Sequence, residues 1–436
     1  MIIGIRRADK NDWEQRVPLI PEDLKYLKEK YGIHTLIQPS DIRAYKNEEY
    51  KNAGVEVVED IQKANTIFAV KEIPLHFYRP NKTYIFFSHT IKGQDYNMPI
   101  LKKMMELKCN LIDYERIVDE SNNRLIFFGK HAGVAGIIES LHALGQKLEE
   151  KNIITPLKKI KQAYKYDSIE EAKQELKVIG EKIKKNGIPK ELQPLIVGFA
   201  GYGNVSRGAQ EIFEILPFKE IKADEIQFIN EKYKAESEHH FFKVVFKEND
   251  LVKPKSGKFE LQDYYNHPEK YESKFEQYIP HLTMLVNCIY WTEDYPRLVT
   301  KSYLQCEEYK ETEQKLIVIG DISCDINGSI EITNKATEPG DAFYTYLPEN
   351  DDYKNGIVKD GITIMAVDNL PCEFPKESSA DFSNVLKKFV YEIANTDFNK
   401  SFEDLTLPYP IKTALILHRG ELTKTYQYLN QYLTEG

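Results

Sequence analysis

Cysteine is scarce and unpaired. The five present, Cys109, Cys288, Cys306, Cys324 and Cys372, lie far apart, and no two fall in a C-x-x-C spacing. An odd, scattered set argues against a disulfide framework and against a zinc site, so no metal is expected and a reducing compartment fits best. Long hydrophobic runs are also missing. Nothing approaches the roughly 20 apolar residues that span a bilayer, so no membrane association is expected. Positive charge is not in excess: 68 acidic residues face 59 basic ones, for a net charge of -9. A broad nucleic-acid footprint is therefore excluded, although a few local cations can still hold a small anion. Internal repeats and low-complexity tracts are absent. The opening "MIIGIRRADK" runs almost directly into strand-like sequence, with no secretory core and no Arg/Ser-rich presequence. Cytoplasm is the expected location, or the mitochondrion if a targeting segment has been removed.

What is present is a soluble, globular balance of 42% hydrophobic and 29% charged residues over 436 positions. That length calls for two domains or three. The first 150 residues alternate strand-like runs (35–37, 66–70, 84–87, 111–114) with helical patterns (21–31, 98–108, 134–149). Such alternation predicts βαβ units and a parallel sheet. Residues 151–190 form a connecting segment, where Ser168 and Glu171 make a capping box that opens a helix to about Lys185. A second alternating region spans 191–369, with strands at 195–200, 284–290, 316–319 and 362–367. The Tyr/Phe/Lys/Glu-rich stretch 228–278 reads as a helical insertion without a site. The tail predicts helices at about 380–395 and 421–433.

"GFAGYGNVSRG" follows the apolar run Leu195–Val197. Gly201 permits a tight turn, and Gly203 lets a pyrophosphate approach the backbone. Asn204, Val205, Ser206 and Arg207 then open a helix whose N–H groups and dipole favour an anion. Ser206 stands where a third glycine is usual. It is small enough to preserve packing, and its hydroxyl could reach a phosphate. The acid expected about twenty residues on is undecided among Glu220, Asp224 and Glu225. Arg207, Lys219 and Lys222 make a 2′-phosphate, hence NADP(H), as plausible here as NAD(H).

Ligands of open α/β sheets bind beyond the carboxyl ends of strands. In the first region "TIFAV" ends in Lys71-Glu72, "YIFFS" in His89, and "NLI" in Asp113-Tyr114-Glu115. Parallel strands would bring these onto one rim, with Lys92, Arg124 and Arg16 nearby. Each has a plainer reading: a solvated lysine, a packed histidine, or Arg16 paired with Glu14 or Asp12. In the second region the strand ends carry Asn287 and Asp321. Asp321 either faces a nicotinamide or caps a turn.

Taken in order, "RRADKNDWEQRVPLIP", "LIQPS", "VKEIP", "FFSHTIKGQ", "LIDYE", "FGKHAGVAG", "GYGNVSRGAQEIF", "LVNCIYW", "GDISCDINGSIE" and "VDNLP" resemble the lysine–2-oxoglutarate reductase part of bifunctional aminoadipic semialdehyde synthases. More distantly, they resemble lysine-forming saccharopine dehydrogenases and alanine dehydrogenases. The resemblance implies two Rossmann-like domains with parallel sheets separated by a cleft. Residues 1–150 with 370–436 would form the catalytic domain, and 191–369 the dinucleotide-binding domain. The implied reaction condenses L-lysine with 2-oxoglutarate and reduces the imine to saccharopine with NADPH, NADH being the alternative. Lys71 then corresponds to a general base and His89 to a general acid, with Glu72 and Glu115 tuning the pair. Arg16, Lys92 and Arg124 correspond to cations that hold substrate carboxylates, for which an arginine fork is well suited. The glycine turn of that family has the same G-x-G-N-V-S pattern, so Ser206 is its usual residue. Gly201, Gly203, Asn204, Val205, Ser206, Arg207, Asn287 and Asp321 face the cofactor in this reading. A homo-oligomer, or association with a saccharopine dehydrogenase half, is the expected assembly.

Overall fold

Short buried strands that end in charged residues set the first sheet. In the computed structural model, which describes residues 1–9 and 11–433, the chain divides into two compact units. The first comprises residues 1–128 and 375–436. Its strands are β1 (Ile2–Ile5), β2 (His34–Ile37), β3 (Glu56–Val57), β4 (Thr66–Phe68), β5 (Thr83–Phe86) and β6 (Asn110–Asp113), joined by two C-terminal strands, Leu415–His418 and Glu421–Leu422. From one edge the order is Glu421–Leu422, Leu415–His418, β6, β5, β4, β1, β2, β3. The six labelled strands are parallel, and the two C-terminal strands pair antiparallel. Helix α1 (Pro21–Tyr31) has its signals in place: Pro21 in the first turn with Glu22 and Asp23, Lys28 and Lys30 in the last, and Gly32 at φ 66° closing it. The late helix Pro375–Asn395 packs beside α1, where Ser379 and Ser383 hydroxyls accept from the Val17 and Ile20 N–H groups (2.9 and 3.0 Å). Two shorter helices complete this unit, α2 (Asn47–Asn52) and α3 (Met98–Glu106).

The second unit is residues 129–374. It opens with α4 (Gly129–Glu150) and α5 (Ile169–Asn186), followed by β7 (Ile196–Ala200) and α6 (Asn204–Phe213). Strands β8 (Phe218–Ile221), β9 (Phe241–Phe246), β10 (Val252–Pro254), β11 (Tyr271–Ser273), β12 (Met284–Asn287), β13 (Val318–Asp321), β14 (Phe343–Leu347), β15 (Asp352–Asn355) and β16 (Ile362–Met365) follow. The eight-stranded sheet runs β15-β14-β16-β13-β12-β7-β9-β8; β10 and β11 form a separate ribbon. Only β14 runs against the others in the large sheet, pairing antiparallel with β15 on one side and β16 on the other.

Four expectations change. The stretch 228–278 is not an insertion: Phe241–Phe246 forms β9, an interior strand paired with β7 and β8. Its Lys243 is buried and pairs with Glu214 and Glu220 (2.6 and 2.5 Å), so the lysine that broke the apolar run is neutralised in place. The strand expected to Tyr290 ends at Asn287, and the 421–433 segment is a short strand followed by a 3-10 helix. The residues 129–150, expected in the first domain, and 151–190, expected as a connector, group with the second unit because α4 lies against α6 and under β13.

Two carboxyls are buried together in the second unit. Glu139 of α4 accepts from the Ala163 N–H (2.6 Å), and Glu373 lies beside it. Burial pushes Glu139 up to about 7 and Glu373 well above the carboxylate range. The folded state therefore binds protons that the unfolded chain releases near pH 4.3, and stability falls as pH rises from there through about 7. In Glu139→Gln the melting temperature should fall less between pH 5 and 8 than in wild type, as melts across that range would show. An equal slope would mean that the pair is charged in place.

Candidate active site

The rim of the first sheet gathers the ionisable residues. Strands β4, β5 and β6 are consecutive neighbours and parallel, so their carboxyl ends adjoin. Lys71 and Glu72 follow β4, His89 follows β5, and Asp113 ends β6 with Glu115 just after it. His89 Nδ1 donates to Glu72 Oε1 at 2.7 Å, since a carboxylate can only accept. That leaves Nε2 for other work. The His89 backbone is left-handed (φ 54°, ψ 14°), a conformation uncommon outside glycine and frequent at functional sites. Its ring lies nearly parallel to Phe87 (14°). Asp113 is fully buried and accepts from Ser88 N–H (3.0 Å), the Ser88 hydroxyl and Glu115 N–H (2.8 Å), which ties the β5 and β6 ends together. Arg124 lies 3.6 Å from Glu115, with 42% of its side chain exposed, and Lys92 is exposed at the end of a short 3-10 turn.

Arg16 behaves differently. Its Nε and Nη2 donate to both oxygens of Glu14 (2.8 and 2.6 Å), both side chains are buried, and the guanidinium lies 4.2 Å from the Phe128 ring. The fork is thus bound by an internal carboxylate, and direct substrate contact is the role this geometry supports least. Arg6 was not singled out from sequence. It is buried just past β1, beside β4, and bonded to Asp9. The signal was available, as an arginine ending a buried strand.

In the second unit Gly201 turns at φ 90° and its N–H donates to Phe246 O (3.0 Å). A Cβ built on Gly203 would meet nothing within 4 Å, so the space over it is open. No side chain caps α6, which leaves its first-turn N–H groups for an anion. Asn287 and Asp321 end neighbouring strands. Asn287 Nδ2 donates to Asp321 Oδ1 (2.8 Å) and Ser329 Oγ (2.9 Å), while the Thr333 hydroxyl donates to Asp321 Oδ2 (2.6 Å). Burial pushes Asp321 up to about 6 despite these bonds. Asn287 Oδ1 is buried and accepts no hydrogen bond among the described residues. An open turn, bare helix N–H groups and a spare buried acceptor fit a dinucleotide.

Ser206 is a correction. It is buried, and its hydroxyl accepts from Gln210 Nε2 (2.9 Å), so it faces the interior rather than a phosphate. The close approach expected of a third glycine occurs elsewhere. A Cβ on Gly133 would lie 1.9 Å from Val205 O, and one on Gly208 would lie 2.2 Å from Lys130 O.

Two α/β units, one with a glycine turn at the switch between β7 and β12, define a dinucleotide-dependent oxidoreductase architecture. The family models "Alanine dehydrogenase/PNT, N-terminal domain" and "C-terminal domain" match residues 4–135 and 220–425, and the chain belongs to that family, whose dehydrogenases bind a nicotinamide dinucleotide. It is similar to the alpha-aminoadipic semialdehyde synthase of Arabidopsis thaliana, at 37% identity over 98% of this chain and 41% of the relative. It is also similar to the saccharopine dehydrogenase [NAD(+), L-lysine-forming] of Schizosaccharomyces pombe, at 25% identity over 90% of this chain and 93% of that one. An L-alanine dehydrogenase structure shares the fold, with a TM-score of 0.62 and 16% identity over 99% of this chain and 100% of that one. The chain thus spans less than half the length of the Arabidopsis relative. Among the described residues no helix is long and apolar enough to cross a membrane.

Proposed function

We propose that the chain condenses L-lysine with 2-oxoglutarate and reduces the product to saccharopine with NADPH. The Glu72–His89 pair carries this reading, because it stands beside Lys71 on a rim that also presents Arg124 and Lys92. Lys71 takes a proton from the substrate ε-ammonium, and the freed amine attacks the ketone carbon to form a C–N bond. His89, its Nδ1–H fixed by Glu72, gives a proton to the carbinolamine hydroxyl, which leaves as water. The Gly201–Gly203 turn, the first-turn N–H groups of α6 and Asn287 would hold a nicotinamide dinucleotide, which when reduced and bound would supply the hydride for the protonated imine. Positioned acid–base groups of this kind typically contribute about 10²–10⁴-fold. Arg124 and Lys92 hold carboxylates, and Glu115 orients Arg124. The test is NAD(P)H oxidation with lysine and a panel of keto acids. Turnover should require lysine and 2-oxoglutarate together; an equal rate with pyruvate would contradict the reading.

The second reading is the same chemistry run toward lysine with NAD, favoured by the likeness to the S. pombe enzyme. Comparing the two cofactors in each direction separates them. A cytoplasmic location, with self-association or pairing with a saccharopine dehydrogenase half, is proposed alongside. Arg124→Ala is expected to raise the 2-oxoglutarate KM by about tenfold or more, because a hydrogen bond to a charged group contributes roughly 1.5–3 kcal/mol. The lysine KM serves as the internal control, and an unchanged 2-oxoglutarate KM would remove Arg124 from binding.

A further inference from the structure

His89 and Lys92 sit on one short turn, and the far end of the chain holds that turn. The 3-10 turn Thr90–Lys92 is bounded by two left-handed residues, His89 at φ 54° and Gly93 at φ 65°. It closes through the Gly93 N–H, which donates to Thr90 O (3.0 Å). A single 3-10 turn is weak by itself, and a left-handed residue other than glycine persists only where its surroundings fix it. Nearby, Asn97 Nδ2 donates to His89 O (3.3 Å), and the Ser88 and Thr90 hydroxyls lie 2.9 Å apart. Further support comes from 337 residues away in sequence.

That support is the 3-10 segment Lys424–Tyr432 of the same unit. Tyr426 and Leu429 are buried and anchor it in a hydrophobic cluster with Met98 and Leu101 of α3, against which Ile91 also packs. Tyr428 and Tyr432 stay 46% and 38% exposed and reach the turn from outside. The Tyr428 hydroxyl donates to Ile91 O (2.7 Å). The Tyr432 ring lies against Gly93, where an added Cβ would overlap three of the ring's atoms. The Tyr426 hydroxyl donates to Thr413 O (2.8 Å) and accepts from Arg116 Nε (3.2 Å). One segment thus ties the turn after β5 to the residue that follows Glu115 after β6.

We propose that Tyr428 and Tyr432 are positioning residues, a strap that holds the 89–93 turn so that His89 and Lys92 are presented together. They act through the main chain of Ile91 and Gly93. The proposal rests on reading the Glu72–His89 rim as the reacting site. Both tyrosines lie outside the core, so their replacement should leave the fold intact. Hydrogen–deuterium exchange of the full chain without substrates, read by mass spectrometry, reports on the turn directly.

Amides of residues 89–93 should exchange about threefold faster in Tyr428→Phe, the effect of one lost hydrogen bond, and about tenfold faster in Tyr432→Ala. Melting temperatures should stay near wild type. Tyr432→Phe should restore what Tyr432→Ala loses, because the face of the ring makes the contact. Tyr428→Phe combined with Tyr432→Ala should lower kcat/KM for 2-oxoglutarate by about tenfold or more, with the NADPH KM unchanged. Unchanged exchange of the turn in both single variants would overturn the proposal. So would faster exchange with wild-type kcat/KM, which would make the strap structural only. Faster exchange across the whole unit, with a lowered melting temperature, would overturn it too. A wild-type protein that makes no saccharopine would fail the proposed reaction, and the strap would then stand or fall on exchange of the turn alone.

Discussion

Lys71→Met and His89→Gln are each expected to lower kcat for the proposed saccharopine formation by about 10²–10⁴-fold, the usual contribution of a positioned acid or base. NADPH affinity and melting temperature should stay near wild type, because both side chains are only partly buried and sit at strand ends rather than in the core. His89→Asn is the better structural control, since asparagine tolerates the left-handed backbone that His89 adopts at φ 54°. If His89→Gln fell mainly through backbone strain, His89→Asn would recover stability without activity. Glu72→Gln should give a smaller loss. It can still accept from Nδ1 through its carbonyl but no longer stabilises an imidazolium. Pre-steady-state mixing of NADPH enzyme with lysine and 2-oxoglutarate would assign the steps. Losing Lys71 should slow C–N bond formation, and losing His89 should slow water loss. Wild-type turnover in either variant would remove that residue from the chemistry.

The first rim was legible because each of three buried runs ended abruptly in ionisable residues, and the alternation of strand-like and helical runs pointed to parallel pairing, although only a short 3-10 turn, Leu75–Phe77, lies between β4 and β5. Helix α1 was legible for a similar reason, with proline, acids, bases and glycine each in its place. The capping box of α5 was half right. The Ser168 hydroxyl accepts from Glu171 N–H (3.2 Å), but the Glu171 carboxylate accepts from Asp167 N–H (2.7 Å) instead of reaching back to Ser168. What stayed hidden was long-range. Nothing local in "FFKVVF" says that Lys243 will find Glu214 and Glu220 across two elements and so be affordable inside a sheet. Nothing local says that β8 goes to the edge before β9 returns inside, yet that order decides which loop meets the glycine turn. Arg16 shows the same limit: its two-residue spacing from Glu14 suggested a pair, but only burial shows the pair to be closed.

Gly133→Ala and Gly208→Ala should each destabilise the second unit and weaken nucleotide binding. Alanine favours a helix over glycine by about 1 kcal/mol, so local propensity alone predicts a gain. Packing opposes it. The new methyl at 133 would sit 1.9 Å from Val205 O and 2.8 Å from Ala209 N, and the one at 208 would sit 2.2 Å from Lys130 O. These neighbours are main-chain atoms of facing helices, so no side chain can swing aside and α4 and α6 must separate. Overpacking of this kind costs roughly 1–3 kcal/mol or more, and backbone contact places these sites at the upper end. For a unit of this size each kcal/mol lowers the melting temperature by about 2–4 °C, so a drop of several degrees is expected. The two losses should not add, because the first methyl already opens the seam that the second would crowd. Moving α6 also moves the Gly203 end of the helix, which is why nucleotide affinity should fall with stability here but not in Lys71→Met. Thermal melts paired with NADPH fluorescence titrations check both, and alanine variants that melt within about a degree of wild type would show that the helices are not held at this distance.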